Sequence, residues 1–110
     1  MEQIAYEDFA KLQIVIGTIM TVEVVDGADK LLCFKVDVGE DEPRQIVSGI
    51  RSFFPNPEFL VGTQAPFLLN LEPRKIRGLE SQGMILAAQA KDTLALLQPH
   101  HRLPSGTQIS

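Results

Sequence analysis

Apolar residues near the start of the chain recur at every second position, and this alternation limits the possible folds more than any other feature. The row consists of Leu12, Ile14, Ile16, Met20, Val22 and Val24, and Thr18 alone interrupts it. A period of two predicts a long strand with one buried face. Gly17 lies inside this strand, where a glycine often marks a bulge or a bend. Because a long bent strand can belong to two sheet surfaces, it suits a small closed barrel.

The remaining pattern predicts further strands and only short helices. Strands are predicted over 31–38, 45–49 and 65–71, and a last hairpin over 84–90 and 93–97 turns at Lys91-Asp92. Short helical turns are predicted over 6–12 and 57–60, because Pro55 and Pro57 exclude a long helix there. The segment from Glu72 to Gly83 is predicted as a polar loop.

About five strands in so short a chain fit a sandwich, an open roll or a small Greek-key barrel. The length of 110 residues allows about one domain and excludes a dinucleotide fold or an eight-fold α/β barrel. The long first strand with its internal glycine and the position of the short helix favour the oligonucleotide/oligosaccharide-binding (OB) barrel.

The charge balance argues against a general nucleic-acid coat, since ten Lys and Arg oppose fourteen Asp and Glu for a net charge of −4. A local basic cluster is still compatible with RNA binding, because charges act within a Debye length of roughly 8–10 Å. Cys33 is the single cysteine, so no intrachain disulfide and no four-ligand zinc site are predicted. With neither a signal peptide nor a membrane span visible, the chain is predicted to be cytoplasmic, without metal or cofactor.

Three cations lie within four residues of the predicted loop: Arg74, Lys75 and Arg77. Pro73 fixes the backbone φ angle where the loop begins, and Gly78 permits a tight turn. Guanidinium groups bind phosphate oxygens through two parallel hydrogen bonds, so this loop is a candidate RNA-binding site. The alternative is a solvated loop with ordinary surface charge.

A second group of candidates lies around the second and third predicted strands, the usual binding face of an OB barrel. This group consists of Lys30, Arg44, Ser48 and Arg51. Arg44 has an equally good alternative role, because it follows the acidic run 40–42 and could neutralise it.

No catalytic constellation is visible. The carboxylates lie in apparent turns, and Cys33 has no histidine partner and reads as a small packing residue. His100 and His101 are adjacent and lack further ligands at metal spacing, so a surface or interface pair is predicted. The chain is therefore predicted not to be an enzyme.

Four segments, taken in order, strongly resemble the tRNA-binding domain family. They are ADKL at 28–31, VDVG at 36–39, RQIVSGI at 44–50 and NLEPRKIRGLESQGMILAA at 70–88. The family occurs at the C-terminus of many methionyl-tRNA synthetases and as their separate beta subunits. The ordered motifs extend from Phe9 to about Gly106, and the motif of the loop is the most specific.

The resemblance implies an all-β fold, a five-stranded OB-fold Greek-key barrel with a short helix and a C-terminal extension. It implies one tRNA-binding domain over 1–110, with the barrel at about 8–90 and the final hairpin strand and extension at 91–110. Free-standing members of this length are similar to homodimers that bind the outer corner of tRNA without catalysis. The motifs carry over the binding positions Lys30, Ser48, Asn70, Arg74, Lys75, Arg77, Ser81, Gln82 and Met84, to which the residue pattern adds Arg44 and Arg51.

The predicted function is structure-specific tRNA binding, by a methionyl-tRNA synthetase beta subunit or a related homodimer, with an aminoacyl-tRNA synthetase as a further candidate partner. The first alternative is a chaperone-like homodimer, similar to the secretion-chaperone branch of the family, that binds unfolded polypeptide. The second is a scaffold that docks onto a synthetase without RNA.

Overall fold

The computed structural model describes all 110 residues and contains ten strands, one short α-helix and two 3-10 turns. The helix α1 spans Tyr6–Ala10, and the 3-10 turns span Arg51–Phe53 and Pro57–Leu60. The strands are β1 (Ile14–Val24), β2 (Leu32–Asp37), β3 (Arg44–Ser48), β4 (Gln64–Leu68), β5 (Arg74–Ile76), β6 (Leu79–Ser81), β7 (Met84–Ile85), β8 (Ala87–Ala90), β9 (Thr93–Leu96) and β10 (Thr107–Gln108). No helix is long and apolar enough to cross a membrane.

Five antiparallel strands form a nearly closed barrel in the order β3-β2-β1-β4-β7. The gap between β3 and the chain segment around β6 and β7 is bridged by hydrogen bonds. The Val47 amide donates to Ser81 Oγ at 3.0 Å, and the Gln82 amide donates to the Gln45 carbonyl at 2.7 Å. The predicted all-β barrel with a short helix is confirmed.

The core fills the barrel with aliphatic side chains and two phenylalanines, Phe34 and Phe67, both fully buried. The predicted apolar face of β2 is confirmed, since Leu32, Phe34 and Val36 are fully buried. Burial of this kind is the main source of stability in a small domain.

The predicted single buried face of β1 is wrong along part of the strand. Ile19, on the opposite parity, is fully buried, while Met20 is 50% and Val24 is 45% exposed. The pairing between β1 and β2 shifts register between Ile19 and Thr21, and an irregularity of this kind exchanges the two faces of a strand. Before the shift the consecutive residues Val15 and Ile16 are both buried, so both faces of β1 are covered there.

The segment predicted as a polar loop contains a β-hairpin, formed by β5 and β6. Further on, the predicted strand 84–90 is divided at Leu86 into β7, which joins the barrel, and β8, which pairs with β9. The turn at Lys91-Asp92 is confirmed. The hairpin was missed because its strands have only three residues each and carry mostly polar side chains.

The last residues return to the barrel. β10 pairs with the first half of β1, where the Gly106 and Ile109 amides donate to the Ile16 and Ile14 carbonyls at 2.7 and 2.8 Å. The tail therefore adds a short strand to the sheet beside β1.

Candidate nucleic-acid interface

The β5–β6 hairpin presents the three clustered cations on a defined backbone. Its two-residue turn consists of Arg77, with φ 53°, and Gly78, with φ 79°. Positive φ at both central positions is typical of a type I′ turn, whose twist matches that of the strands. Arg77 is the single non-glycine residue with positive φ. An arginine held in this unfavourable region is a feature often found at functional sites.

Arg77 reaches from the hairpin to the loop between β1 and β2. Its Nη2 donates a hydrogen bond to the Gly27 carbonyl at 3.1 Å. This contact brings the hairpin beside Lys30, and the residues lining the groove between them are Gly27, Ala28, Asp29, Lys30, Leu31, Ile76 and Arg77. We call this the hairpin groove.

A second, smaller cleft lies on the other side of Ile76. Its lining residues are Val47, Leu71, Glu72, Arg74, Ile76, Ser81, Gly83 and Met84. Ile76 therefore separates two depressions, of which one has Lys30 and Arg77 at its edge and the other has Arg74 and Met84. Ile76 was not among the binding residues predicted from the sequence. Its position between Lys75 and Arg77 was the available signal.

The cations around the hairpin are free of ion pairs. The two ion pairs of the molecule join Lys11 to Asp8 and Arg44 to Glu40. Lys75 lies opposite Glu80 across the hairpin without forming an ion pair. Cations without carboxylate partners can contact phosphates without first breaking an ion pair.

Arg44 takes the alternative role that its sequence position indicated. Its Nε and Nη2 donate to the two carboxylate oxygens of Glu40, each at 2.9 Å, and its Nη1 donates to the Leu69 and Gln82 carbonyls at 2.8 and 3.0 Å. The hydrogen bond from Arg44 lowers the pKa of Glu40, while slight burial opposes the shift. The same hydrogen bond raises the pKa of Arg44. Arg44 thus ties β3 to both ends of the segment that carries the hairpin.

Three polar candidates make hydrogen bonds within the chain. Asn70 accepts from the Gln13 amide at 2.9 Å and donates to the Lys11 carbonyl at 2.6 Å. Ser81 is buried and bridges β3 to Gly83, and Gln82 Oε1 accepts from the Gln45 amide at 2.9 Å. Ser81 and Gln82 thus hold the hairpin against β3, and Asn70 holds the segment before the hairpin to the residues that precede β1.

The last two candidates lie near the hairpin groove without lining it. The Arg51 amide donates to the Lys30 carbonyl at 3.2 Å, which brings the backbones of Arg51 and Lys30 together. Ser48, at the end of β3, is half-buried and pairs with Leu32. The structure therefore gathers Lys30, Arg51 and the hairpin cations at one end of the barrel.

Residues 14–108 match the family described as "Putative tRNA binding domain". The chain belongs to this family. As a tRNA-binding domain it is 44% identical over 110 residues to a methionine–tRNA ligase of Lactococcus lactis, a match that covers 99% of this chain and 17% of the ligase. The chain thus spans about a sixth of the length of this relative.

Two solved structures share the fold of this tRNA-binding domain. A MetRS-related protein from Pyrococcus horikoshii superposes with a TM-score of 0.92 at 35% identity, covering all of both chains. The chaperone CsaA of Bacillus anthracis superposes with a TM-score of 0.89 at 31% identity, covering 99% of this chain and all of the other. The predicted OB-type fold and the predicted family are confirmed, and the chain is related both to methionine–tRNA ligases and to CsaA.

Proposed function

We infer that this domain binds tRNA as a non-catalytic homodimer and that the hairpin groove and the neighbouring cleft contact the RNA. The observation that carries this proposal is the rigid hairpin with three cations free of ion pairs in a molecule of net charge −4. Localised positive charge on an acidic protein favours binding at one place rather than a general coating of RNA.

The contacting residues that we propose are Lys30, Arg51, Arg74, Lys75, Arg77 and Met84. Arg77 and Arg74 supply guanidinium groups, which suit phosphate oxygens. Ile76 and Met84 add apolar surface between the charges, where a ribose or a base can pack. Such a mixture suits recognition of RNA shape more than recognition of a base sequence.

The sequence-based interpretation placed four polar residues among the RNA contacts: Arg44, Asn70, Ser81 and Gln82. Their polar groups instead form hydrogen bonds within the chain. We assign them to positioning the hairpin. Ser48 is adjacent to Leu32 at the end of β3 and lies on the margin of the site.

A second copy of the chain is supported by apolar surface that the single chain leaves uncovered. Helix α1 has no buried residue, and Ile4 and Tyr6 are 69% and 77% exposed. All four residues of β8 are exposed as well. Exposed apolar surface of this extent is typical of an interface. A homodimer would place two hairpins on one assembly and increase avidity for a large RNA.

The relationship with methionine–tRNA ligases supports such a ligase as a partner, acting in the cytoplasm where translation takes place. The alternative function is binding of unfolded polypeptide, which is supported by the likeness to CsaA. The unpaired cations of the hairpin favour RNA, because an apolar peptide has no anionic groups to pair with them.

The test replaces the hairpin cations without disturbing the turn. Arg74→Gln, Lys75→Gln and Arg77→Asn are combined, since asparagine tolerates positive φ. We expect tRNA affinity at moderate salt to fall about ten-fold or more. The slope of log affinity against log salt concentration should correspond to about two phosphate contacts fewer. Lys91→Gln, in the β8–β9 turn, is a control for the loss of one positive charge away from the hairpin and should bind as the unmodified protein does.

Circular dichroism verifies folding, and sedimentation with and without tRNA gives the oligomeric state. Unchanged tRNA affinity in the folded triple variant would contradict the assignment of the hairpin. Binding to an apolar peptide array without any binding to tRNA would favour the chaperone alternative.

A further inference from the structure

A second basic groove lies between the segment that leads into β4 and the C-terminal tail. We call it the tail groove, and its lining residues are Val61, Gly62, Thr63, Gln64, Gln98, Pro99, His100, His101 and Arg102. It shares no residue with the hairpin groove or the neighbouring cleft. None of the residues proposed to contact tRNA lines the tail groove.

Three hydrogen bonds hold the two walls of the tail groove together. Gln64 is 5% exposed, and its side chain donates to the Leu103 carbonyl at 2.7 Å and accepts from the Leu103 amide at 3.0 Å. Arg102 Nη1 donates to the Gly62 carbonyl at 2.9 Å. The groove is therefore formed in advance, and a ligand need not order the tail.

The charge of the tail groove is positive or neutral throughout. Arg102, His100 and His101 line it, and none of the fourteen carboxylate side chains of the chain does. Arg102 uses only Nη1 for its hydrogen bond within the chain, so Nε and Nη2 can donate to a ligand. A guanidinium fixed at one corner with donors left over is well suited to phosphate.

His100 and His101 line the tail groove next to Arg102. Their rings contact edge to face with centroids 4.7 Å apart, and His101 Nδ1 lies 3.0 Å from the Arg102 carbonyl. A carbonyl only accepts, so this contact requires a proton on Nδ1. The two imidazole rings extend the polar lining of the groove beside the Arg102 guanidinium.

We propose that the tail groove binds a phosphate group, which the proposed RNA-binding function would supply as a backbone phosphodiester. The Gly62 amide bonds to the Ile19 carbonyl, whereas the hairpin groove begins beyond the end of β1 at Val24. At about 3.3 Å per residue, these points lie roughly 17 Å apart along β1. A single ligand that contacts both grooves must span at least this distance, which a folded RNA does. Free phosphate is the second possible source of the phosphate group.

The experiment follows the histidine ring signals by NMR while the protein is titrated with tRNA and, in a separate arm, with inorganic phosphate. Both ligands are expected to shift the His100 and His101 signals. A variant that combines His100→Gln, His101→Gln and Arg102→Gln should bind tRNA about three- to ten-fold more weakly, and its salt dependence should correspond to about one phosphate contact fewer. Lys91→Gln is the control and should bind tRNA as the unmodified protein does.

The outcomes separate the groove from the function. Phosphate shifts without tRNA binding would support the groove as a phosphate site and contradict the proposed function. Binding of tRNA with unmoved histidine signals and an unchanged salt slope in the triple variant would overturn the proposal. So would a triple variant that changes the oligomeric state, because the groove would then be covered by a second copy.

Discussion

Four hydrogen bonds of the Arg44 guanidinium reach three different segments of the chain, ending on Glu40, Leu69 and Gln82. The residue combines an ion pair on the β2–β3 loop with two carbonyl contacts on the segment around the hairpin. At this scale the Arg44 side chain contributes to fixing the position of the cationic hairpin, although it offers no free donor pair to RNA itself.

Glu40→Gln tests this ion pair through the pH dependence of stability. The folded-state pKa of Glu40 lies below its ordinary value of 4.5, because the charged carboxylate accepts hydrogen bonds from Arg44. The stabilisation is therefore complete above about pH 4.5 and is lost as pH falls through the folded-state pKa. We expect the unmodified protein to be more stable than the variant at neutral pH by less than about 1 kcal/mol, since Glu40 is largely exposed.

The measurement is urea unfolding of both proteins across a pH series. The difference in the free energy of unfolding should shrink towards zero as the solution becomes acidic. A difference that stays constant below pH 4.5 would mean that the carboxylate charge contributes nothing to this contact.

Among the elements, β1 has the most demanding surroundings, because it pairs with β2, β4 and β10. Gly17 lies where two walls of the barrel approach each other. An added Cβ would lie 2.7 Å from Val36 Cγ1 and 2.8 Å from Phe67 Cδ2, and both of these side chains are fully buried. The glycine is required for space rather than for an unusual backbone angle.

Gly17→Ala is expected to destabilise the protein by about 1–3 kcal/mol or more, since neither Val36 nor Phe67 has room to move within the packed core. Chemical denaturation measures the loss. Gly49→Ala is the matched control, because the nearest atom to its new methyl group is the Lys30 carbonyl oxygen at 3.9 Å. Equal stability of the two variants would show that the core near Gly17 is loosely packed.

For the molecule as a whole, the tail closes the fold by returning to β1. Gln64 links barrel and tail through its paired hydrogen bonds with the Leu103 backbone, and it also donates to Thr18 Oγ1 at 3.0 Å. Because this amide is buried, its partners lose their hydrogen bonds if it is removed.

Gln64→Ala should lower the free energy of unfolding by about 1–3 kcal/mol through the orphaned Leu103 amide and carbonyl. The same change should loosen the wall of the tail groove, which hydrogen exchange at Leu103 would detect as faster exchange. Gln108→Ala, on the exposed side of β10, is the control and should change little. Similar exchange in both variants would contradict a structural link through Gln64.

Alternation in β2 and the clustered cations were readable from the chain alone, because both depend on neighbours a few positions apart. Leu32, Phe34 and Val36 face the core as their spacing predicted. The motifs over 70–88 likewise indicated the family before any fold was known.

Other features depended on residues far apart in the chain. Ile19 is buried and Met20 exposed because the register with β2 shifts beside them. Arg44 also donates to the Leu69 and Gln82 carbonyls, and Ser81 turns inward, because the hairpin lies against β3. The tail groove exists because Gln64 captures Leu103, 39 positions later. Spacing along a strand reports which side chains share a face, but the partner that each polar group finds is chosen only when distant segments compete for it in three dimensions.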